Sequence, residues 1–238
     1  MKAIIMIPTY NEAQNIAPLV ESIFSLKLES QDNLEIVIVD DHSPDGTSDH
    51  IRTLQKKYPQ NLHLVERLHE KGRGTAGIAG FLFCLERDVD CIFEMDADFS
   101  HDPVHIPTFL GLIKHYDLVI GSRYVQDGEE VNRTWKRALI SFLANSIYRL
   151  FLGLRIRDLS SGYKCYRKDL MKKLNFKDFY SHGYPIGMET VFRCHRLGAK
   201  IIELPVSFHD RRFGKSKFSF REITESLKVS FKLSLSKS

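Results

Sequence analysis

Short apolar runs rich in β-branched residues alternate with amphipathic stretches through the first half of the chain. The runs at 3–7, 35–40, 62–66, 91–95 and 118–121 have the length and the near-continuous apolar character of strands buried on both faces. Between them, apolar positions recur at helical spacing and predict helices over 13–26, 47–57, 75–87 and 103–114. Strand and helix in turn imply an α/β fold, a mostly parallel sheet flanked by helices. In such sheets ligands collect where strands end. The polar clusters fall there: Pro8-Thr9-Tyr10-Asn11-Glu12 after the first strand, Asp40-Asp41-His42-Ser43-Pro44-Asp45-Gly46-Thr47 after the second, and Asp96-Ala97-Asp98 after the fourth.

The pattern changes beyond Gly121-Ser122-Arg123-Tyr124. Residues 125–130 read as a polar loop, and 135–154 as a long, largely apolar helix on which Arg137, Ser141, Asn145 and Arg149 form one polar ridge. Such a helix is either core with a solvated stripe or in contact with lipid. A further helix carries Glu189, and a strand at 201–206 leads into the basic loop His209-Asp210-Arg211-Arg212-Phe213-Gly214-Lys215-Ser216-Lys217. Residues 220–235 have the spacing of an amphipathic helix that packs on the domain or rests on headgroups. This divides the chain into a main domain, 1–219, and a C-terminal amphipathic helix, 220–238.

Composition narrows the function classes. A net charge of only +4, without a Lys/Arg block interleaved with aromatics, argues against a nucleic-acid partner. The four cysteines are widely spaced with no CxxC, as expected of a reduced, cytoplasmic chain. The N-terminus lacks the basic start and cleavage site of a signal peptide, and no apolar run reaches a membrane span, so contact with a membrane is expected to be peripheral.

The acids at 96 and 98 stand where the fourth strand stops. Two adjacent carboxylates suit a hard divalent cation that draws its remaining ligands from phosphate and water, which points to a diphosphate carried with Mg2+ or Mn2+. The alternative is that Asp98 caps the helix near Pro103 and Asp96 lies in solvated loop. Tyr10 can stack on a nucleobase, Glu12 can accept from one, and Asp41 is the candidate base or ribose contact. A helix cap near Thr47 or Ser48 would occupy the other acid of that pair. Gly72-Arg73-Gly74-Thr75-Ala76-Gly77 spells GxGxxG, the dinucleotide fingerprint, but after the third strand rather than the first. A glycine turn bringing the next helix close to the donor site accounts for it as well.

Taken in order, PTYNE, VDDHSPDGT, MDADFSHDP, GSRY, RDLSSGY and DRRFGKSK resemble the family 2 glycosyltransferases, most closely the dolichol-phosphate (polyprenyl-phosphate) mannose synthase branch, over almost the whole chain. The resemblance implies a GT-A (Rossmann-like) fold and inverting transfer of mannose from GDP-mannose to a polyprenyl phosphate. It implies that Pro8, Tyr10, Glu12, Val39 and Asp41 hold the nucleoside, and that Asp96, Ala97 and Asp98 serve diphosphate and metal. Arg123, Arg137, Ser141, Arg211 and Lys217 match phosphate-receiving positions, with Asp98, Arg123 and Arg211 as the catalytic set. It further implies work on the cytosolic face of a membrane, directly or through a membrane-anchoring partner subunit. Two departures stand out: Ser100 where some relatives place a glutamine metal ligand, and GKSK where many read GESK. UDP-glucose or another donor, and a nucleotide-binding relative without turnover, remain alternatives.

Overall fold

The computed structural model describes residues 1–69, 71–132, 134–181, 183–210 and 220–236, without the side chains of 136, 137 and 220–223. In chain order the elements are β1 (Lys2–Thr9), α1 (Ala13–Phe24), β2 (Asn33–Asp40), α2 (Thr47–Lys57), β3 (Leu62–Glu66), α3 (Arg73–Leu85), β4 (Cys91–Glu94), α4 (Ile106–Ile113), β5 (Leu118–Ser122), β6 (Glu129–Val131), α5 (Trp135–Leu152), β7 (Lys164–Arg167), α6 (Lys168–Met171), α7 (Ile186–Arg196), β8 (Ile201–Pro205), β9 (Ser207–His209) and α8 (Phe220–Leu235). The main sheet has seven strands in the order β3-β2-β1-β4-β7-β5-β8. All its pairings are parallel except those of β7, which runs antiparallel to both β4 and β5. β6 and β9 pair separately, so part of the stretch expected as polar loop is a short strand.

The continuous apolar runs follow from burial on both faces. Successive side chains alternate across a strand. Ile4, Met6, Val37, Val39 and Ile92 therefore join one core, with Phe81 of α3, Tyr148 of α5, Val191 of α7 and Val229 of α8. Ala3, Ile5, Ile7, Ile36, Ile38 and Phe93 join the other, with Ile16 of α1, Ile51 of α2 and Phe109 of α4. All four cysteines are buried and unbridged.

The order places β1 between β2 and β4, so connections diverge on either side of its carboxyl end and leave a crevice there. α3 closes onto this crevice because Gly80 has no side chain: a Cβ there would fall inside the Met6 side chain and 3.0 Å from Val39 Cγ2.

α5 is amphipathic in an unexpected sense. Trp135, Leu139, Phe142, Leu143 and Leu150 are exposed, Leu150 to 82%, whereas Asn145, on the polar ridge, is 2% exposed. Asn145 of the ridge is turned into the protein together with Tyr148 and Leu152, while much of the apolar surface faces out, which corrects the picture of a solvated ridge. Phe151 meets Phe231 of α8 edge-on at 6.3 Å, and Phe231 and Leu235 extend the exposed apolar surface. No described helix is long and apolar enough to cross a membrane.

Gly80→Val is expected to lower stability by about 1–3 kcal/mol through overpacking at β1, read as a drop in the urea midpoint; an unchanged midpoint would mean that α3 can back away.

Candidate functional site

Two loops meet where β1 and β2 end, and backbone donors at the start of α1 bind them. The N–H groups of Asn11, Glu12 and Ala13 donate to Ser43 Oγ, Thr47 Oγ1 and Asp45 Oδ2 at 2.9, 3.0 and 3.0 Å. Donors that a helix start leaves unpaired thus become a clamp between loops. The Asp40/Asp41 pair divides the labour. Asp40 is fully buried and accepts from Thr9 Oγ1, the Ser43 N–H and hydroxyl, and Ser48 Oγ at 2.6–3.0 Å, a purely internal role. Asp41 instead faces α3: its Oδ2 accepts from the Gly72 N–H at 2.7 Å and its Oδ1 lies 3.0 Å from Arg67 Nη1. Burial pushes the Asp41 carboxyl above its ordinary value, against both of those partners. The expected cap at Thr47 or Ser48 takes another form. Gly46 occupies the capping position in a left-handed conformation, and Asp45 Oδ1 accepts the Thr47 N–H at 3.0 Å.

Around this clamp, Pro8 and Tyr10 are half-buried at the end of β1, and Lys71 Nζ lies 5.4 Å from the centre of the Tyr10 ring. Glu12 Oε2 accepts from Asn15 Nδ2 at 2.7 Å. Val39 is 0% exposed and packs in the core, so its side chain has no surface to offer a ligand.

At the end of β4 the chain turns sharply, with Phe99 in a left-handed conformation at φ 62°. Asp98 Oδ1 accepts from the Ser100 N–H at 3.1 Å. The Asp96 N–H donates to His101 Nδ1 at 3.0 Å, so a neutral His101 carries its proton on Nε2, 3.9 Å from Asp96 Oδ2. Burial pushes the His101 pKa down and favours that neutral form. The ring stacks on Tyr163 at 5.0 Å and meets the edge of Phe208 at 5.7 Å. Asp98 is not a helix cap: Asp102 accepts the Val104 N–H at 2.9 Å in that role. Asp98, Ala97 and Ser100 are all buried, while the Asp96 side chain is 32% exposed.

A residue that the sequence reading missed lies against this pair. Arg73 opens α3 and sets Nη2 2.6 Å from Asp96 Oδ1 and Nη1 3.6 Å from Glu94 Oε1. The only signal for it was a basic residue inside the glycine turn. Beneath it, Lys164 is 0% exposed, with Nζ 3.7 Å from Glu94 Oε2 and no hydrogen-bond partner. Burial pushes the Lys164 amine below its ordinary pKa. Gly162 closes the site, since a Cβ there would stand 3.0 Å from both Arg73 Nη2 and Asp96 Oδ2.

Arg123, at the end of β5, is held from all sides. Its Nε and Nη2 donate to the two oxygens of Asp158 at 2.7 Å each, Nη2 also donates to Ser160 Oγ at 2.8 Å, and Nη1 to Glu130 Oε1 at 3.3 Å. Burial raises the Asp158 carboxyl, but the charge and hydrogen bonds of Arg123 outweigh it and hold the pKa below its ordinary value. Glu203 fixes the same loop by accepting the N–H groups of Arg157 and Asp158 at 2.8 and 2.9 Å. Asn145 of α5 completes the arrangement. It accepts the Ser160 N–H at 3.0 Å and donates to Ser160 Oγ at 2.9 Å and to the Ser141 carbonyl at 3.0 Å. Ser141 is half-buried beside it. The Arg137 side chain, Arg211 and Lys217 lie outside the described residues.

Among the described residues no cluster of three or more His, Cys, Asp or Glu is arranged to hold a metal. Asp96 and Asp98 nevertheless offer two carboxylates just beyond the end of β4, a donor set that suits a cation whose other ligands come from a bound diphosphate and water.

Residues 4–174 match the sequence profile of the family described as Glycosyl transferase family 2. An undecaprenyl-phosphate mannosyltransferase of Micrococcus luteus is 38% identical over 219 residues, covering 92% of this chain and 88% of the relative. A polyprenol monophosphomannose synthase of Mycolicibacterium smegmatis is 34% identical over 227 residues, covering 95% and 84%. Among solved structures, glucosyl-3-phosphoglycerate synthase of Mycobacterium tuberculosis, in complex with Mn2+, UDP and glucosyl-3-phosphoglycerate, superposes with a TM-score of 0.67 at 18% identity, covering 96% of this chain and 77% of that one. That likeness bears on the fold, which is of the GT-A kind.

Asp158→Asn is expected to destabilise the protein by about 3–5 kcal/mol near neutral pH, because it strands a buried guanidinium. In the parent, the stabilisation from the depressed Asp158 pKa is complete above the unfolded carboxyl value of about 3.9 and fades as pH falls through the lower folded value. Urea unfolding between pH 7 and pH 3 should therefore show a shallower acid loss in the variant.

Proposed function

The chain belongs to glycosyl transferase family 2, and from that premise we propose that it transfers mannose, with inversion, from GDP-mannose to a polyprenyl phosphate at the cytosolic surface of a membrane. One juxtaposition carries this reading. Ser160 is bonded to Asn145 of α5, and two residues later Gly162 lies against Asp96, so a single loop joins the acidic pair to a helix whose other side is apolar and exposed. A donor diphosphate and a lipid-borne acceptor would meet across it. The names of the two relatives, an undecaprenyl-phosphate mannosyltransferase and a polyprenol monophosphomannose synthase, support mannose as the sugar and a polyprenyl phosphate as the acceptor.

In this scheme Tyr10, Glu12 and Asp41 receive the nucleoside at the β1/β2 clamp, and Pro8 shapes the turn. Asp96 and Asp98 hold Mg2+ or Mn2+, while the Ser100 N–H orients Asp98 from behind. When bound, that cation neutralises charge on the departing diphosphate. The acceptor phosphate is already anionic near neutral pH, so its oxygen attacks the anomeric carbon without a general base, and the nucleoside diphosphate leaves from the opposite face. Two anions have to be brought together, which asks for cations. Arg137 and Ser141 on α5, with Arg211 and Lys217 from the basic loop, are assigned to them. Arg123 acts mainly by position: it ties the end of β5 to the loop that carries Ser160, and direct contact with phosphate would require Nη1 to leave Glu130. The exposed face of α5 and α8 is the surface that meets acyl chains, with or without an anchoring partner subunit.

Incubation with labelled GDP-mannose or UDP-glucose, Mg2+ or Mn2+ and a polyprenyl phosphate should move label into the organic phase from GDP-mannose, and Asp98→Asn should cut that transfer roughly a hundredfold or more. Label moving only from UDP-glucose, or full turnover by Asp98→Asn, would overturn the assignment. Separately, Leu143→Glu with Leu150→Glu should reduce the vesicle-bound fraction several-fold, while turnover of a short-chain, water-soluble acceptor stays unchanged.

A further inference from the structure

Arg73 sits where the cation of a two-acid site is expected to place its charge. Its guanidinium reaches Asp96 Oδ1 at 2.6 Å and Glu94 Oε1 at 3.6 Å, and lies 6.0 Å from the centre of the Tyr184 ring. Nη1 is buried without a hydrogen-bond partner. The placement is built in by the backbone. Gly72 adopts φ 141°, its N–H is fixed on Asp41, and its carbonyl accepts from Thr75 Oγ1 at 3.1 Å and from the Ala76 N–H at 2.9 Å. α3 therefore starts at a fixed point on the crevice rim, with its first side chain aimed at the acidic pair. Gly162 makes room for the pair, because a Cβ there would stand 3.0 Å from both Arg73 Nη2 and Asp96 Oδ2.

We infer that Arg73 is a resident counter-cation of Asp96, which competes with the divalent metal in the nucleotide-free protein and is released from Asp96 by the donor diphosphate. Without nucleotide, a metal at Asp96 has to displace or face a guanidinium at contact distance, and like charges at that range repel strongly in a partly buried site. A diphosphate removes the conflict, because its oxygens accept a guanidinium bidentately while the metal takes the carboxylate. Metal and donor then bind as coupled ligands, and each strengthens the other by the same factor. The glycine turn thus acquires a role in ordered loading of the site, one that needs no dinucleotide.

The inference rests on the reading of Asp96 and Asp98 as metal ligands, and the test separates the two. Free Mn2+ is titrated by electron paramagnetic resonance in the parent, Arg73→Leu and Arg73→Lys, each with and without GDP. Arg73→Leu should bind Mn2+ about tenfold more tightly than the parent without GDP and nearly as the parent does with it, so the enhancement by GDP shrinks by that factor. Arg73→Lys, which keeps the charge on a shorter reach, should fall between the two, and decides the matter if the leucine variant does not fold. Nucleotide-free affinities in both variants no tighter than the parent's would overturn the role of Arg73 while leaving the metal site standing. Absence of Mn2+ binding in all three proteins even with GDP would remove the metal reading and the inference together.

Discussion

The buried pair between Arg123 and Asp158 is the constraint on which the site depends. A guanidinium and a carboxylate taken out of water cost more in lost hydration than a single contact returns, so such a pair is retained for what it positions. Here the fork of Arg123 fixes both Asp158 oxygens and the Ser160 hydroxyl. Glu203 pins the same loop from β8 through two backbone donors. With residues 157–160 held from two sides, Ser160 meets α5 and Gly162 lies against Asp96, and two regions distant in sequence share one connection.

The polarity of α5 follows from that connection. Asn145 has to be inside to satisfy Ser160, which rotates the helix so that its apolar residues point outward. Tyr148 and Leu152 are buried on the same side and add hydrophobic packing to that rotation. Polar satisfaction and this packing act together, and the apolar residues left outside form the face that the proposed scheme uses.

Much of this was legible in the sequence. The first four strand–helix units stand close to where the apolar runs placed them, because strands buried on both faces leave an unmistakable signature. The acidic pair was legible because it interrupts such a run. β7 was not: Lys-Cys-Tyr-Arg is short and half basic, and its lysine is buried beside Glu94, its register partner on β4. The ion pair between Arg73 and Asp96 was hidden for a similar reason, since it joins the start of α3 to the end of β4 and needs the strand order to bring the two together. Asp41 is the acid that the sequence reading takes as the contact, and the internal role of Asp40 becomes visible only once the surrounding hydroxyls are placed. Periodicity revealed a polar ridge on α5 but not which side of the helix would meet water.

The position of β7 also bears on how the molecule comes into being. β4 and β5 are not neighbours; β7, made more than forty residues after β5 begins, is the strand that joins them. On the ribosome, the units from β1 to β4 can close early, while β4 keeps an unpaired edge until residues 164–167 emerge. The acidic end of β4 is therefore among the last parts to be enclosed during synthesis, and a nascent chain stalled before that point would carry a nearly finished β1–β4 half beside a sheet still open to wrong partners.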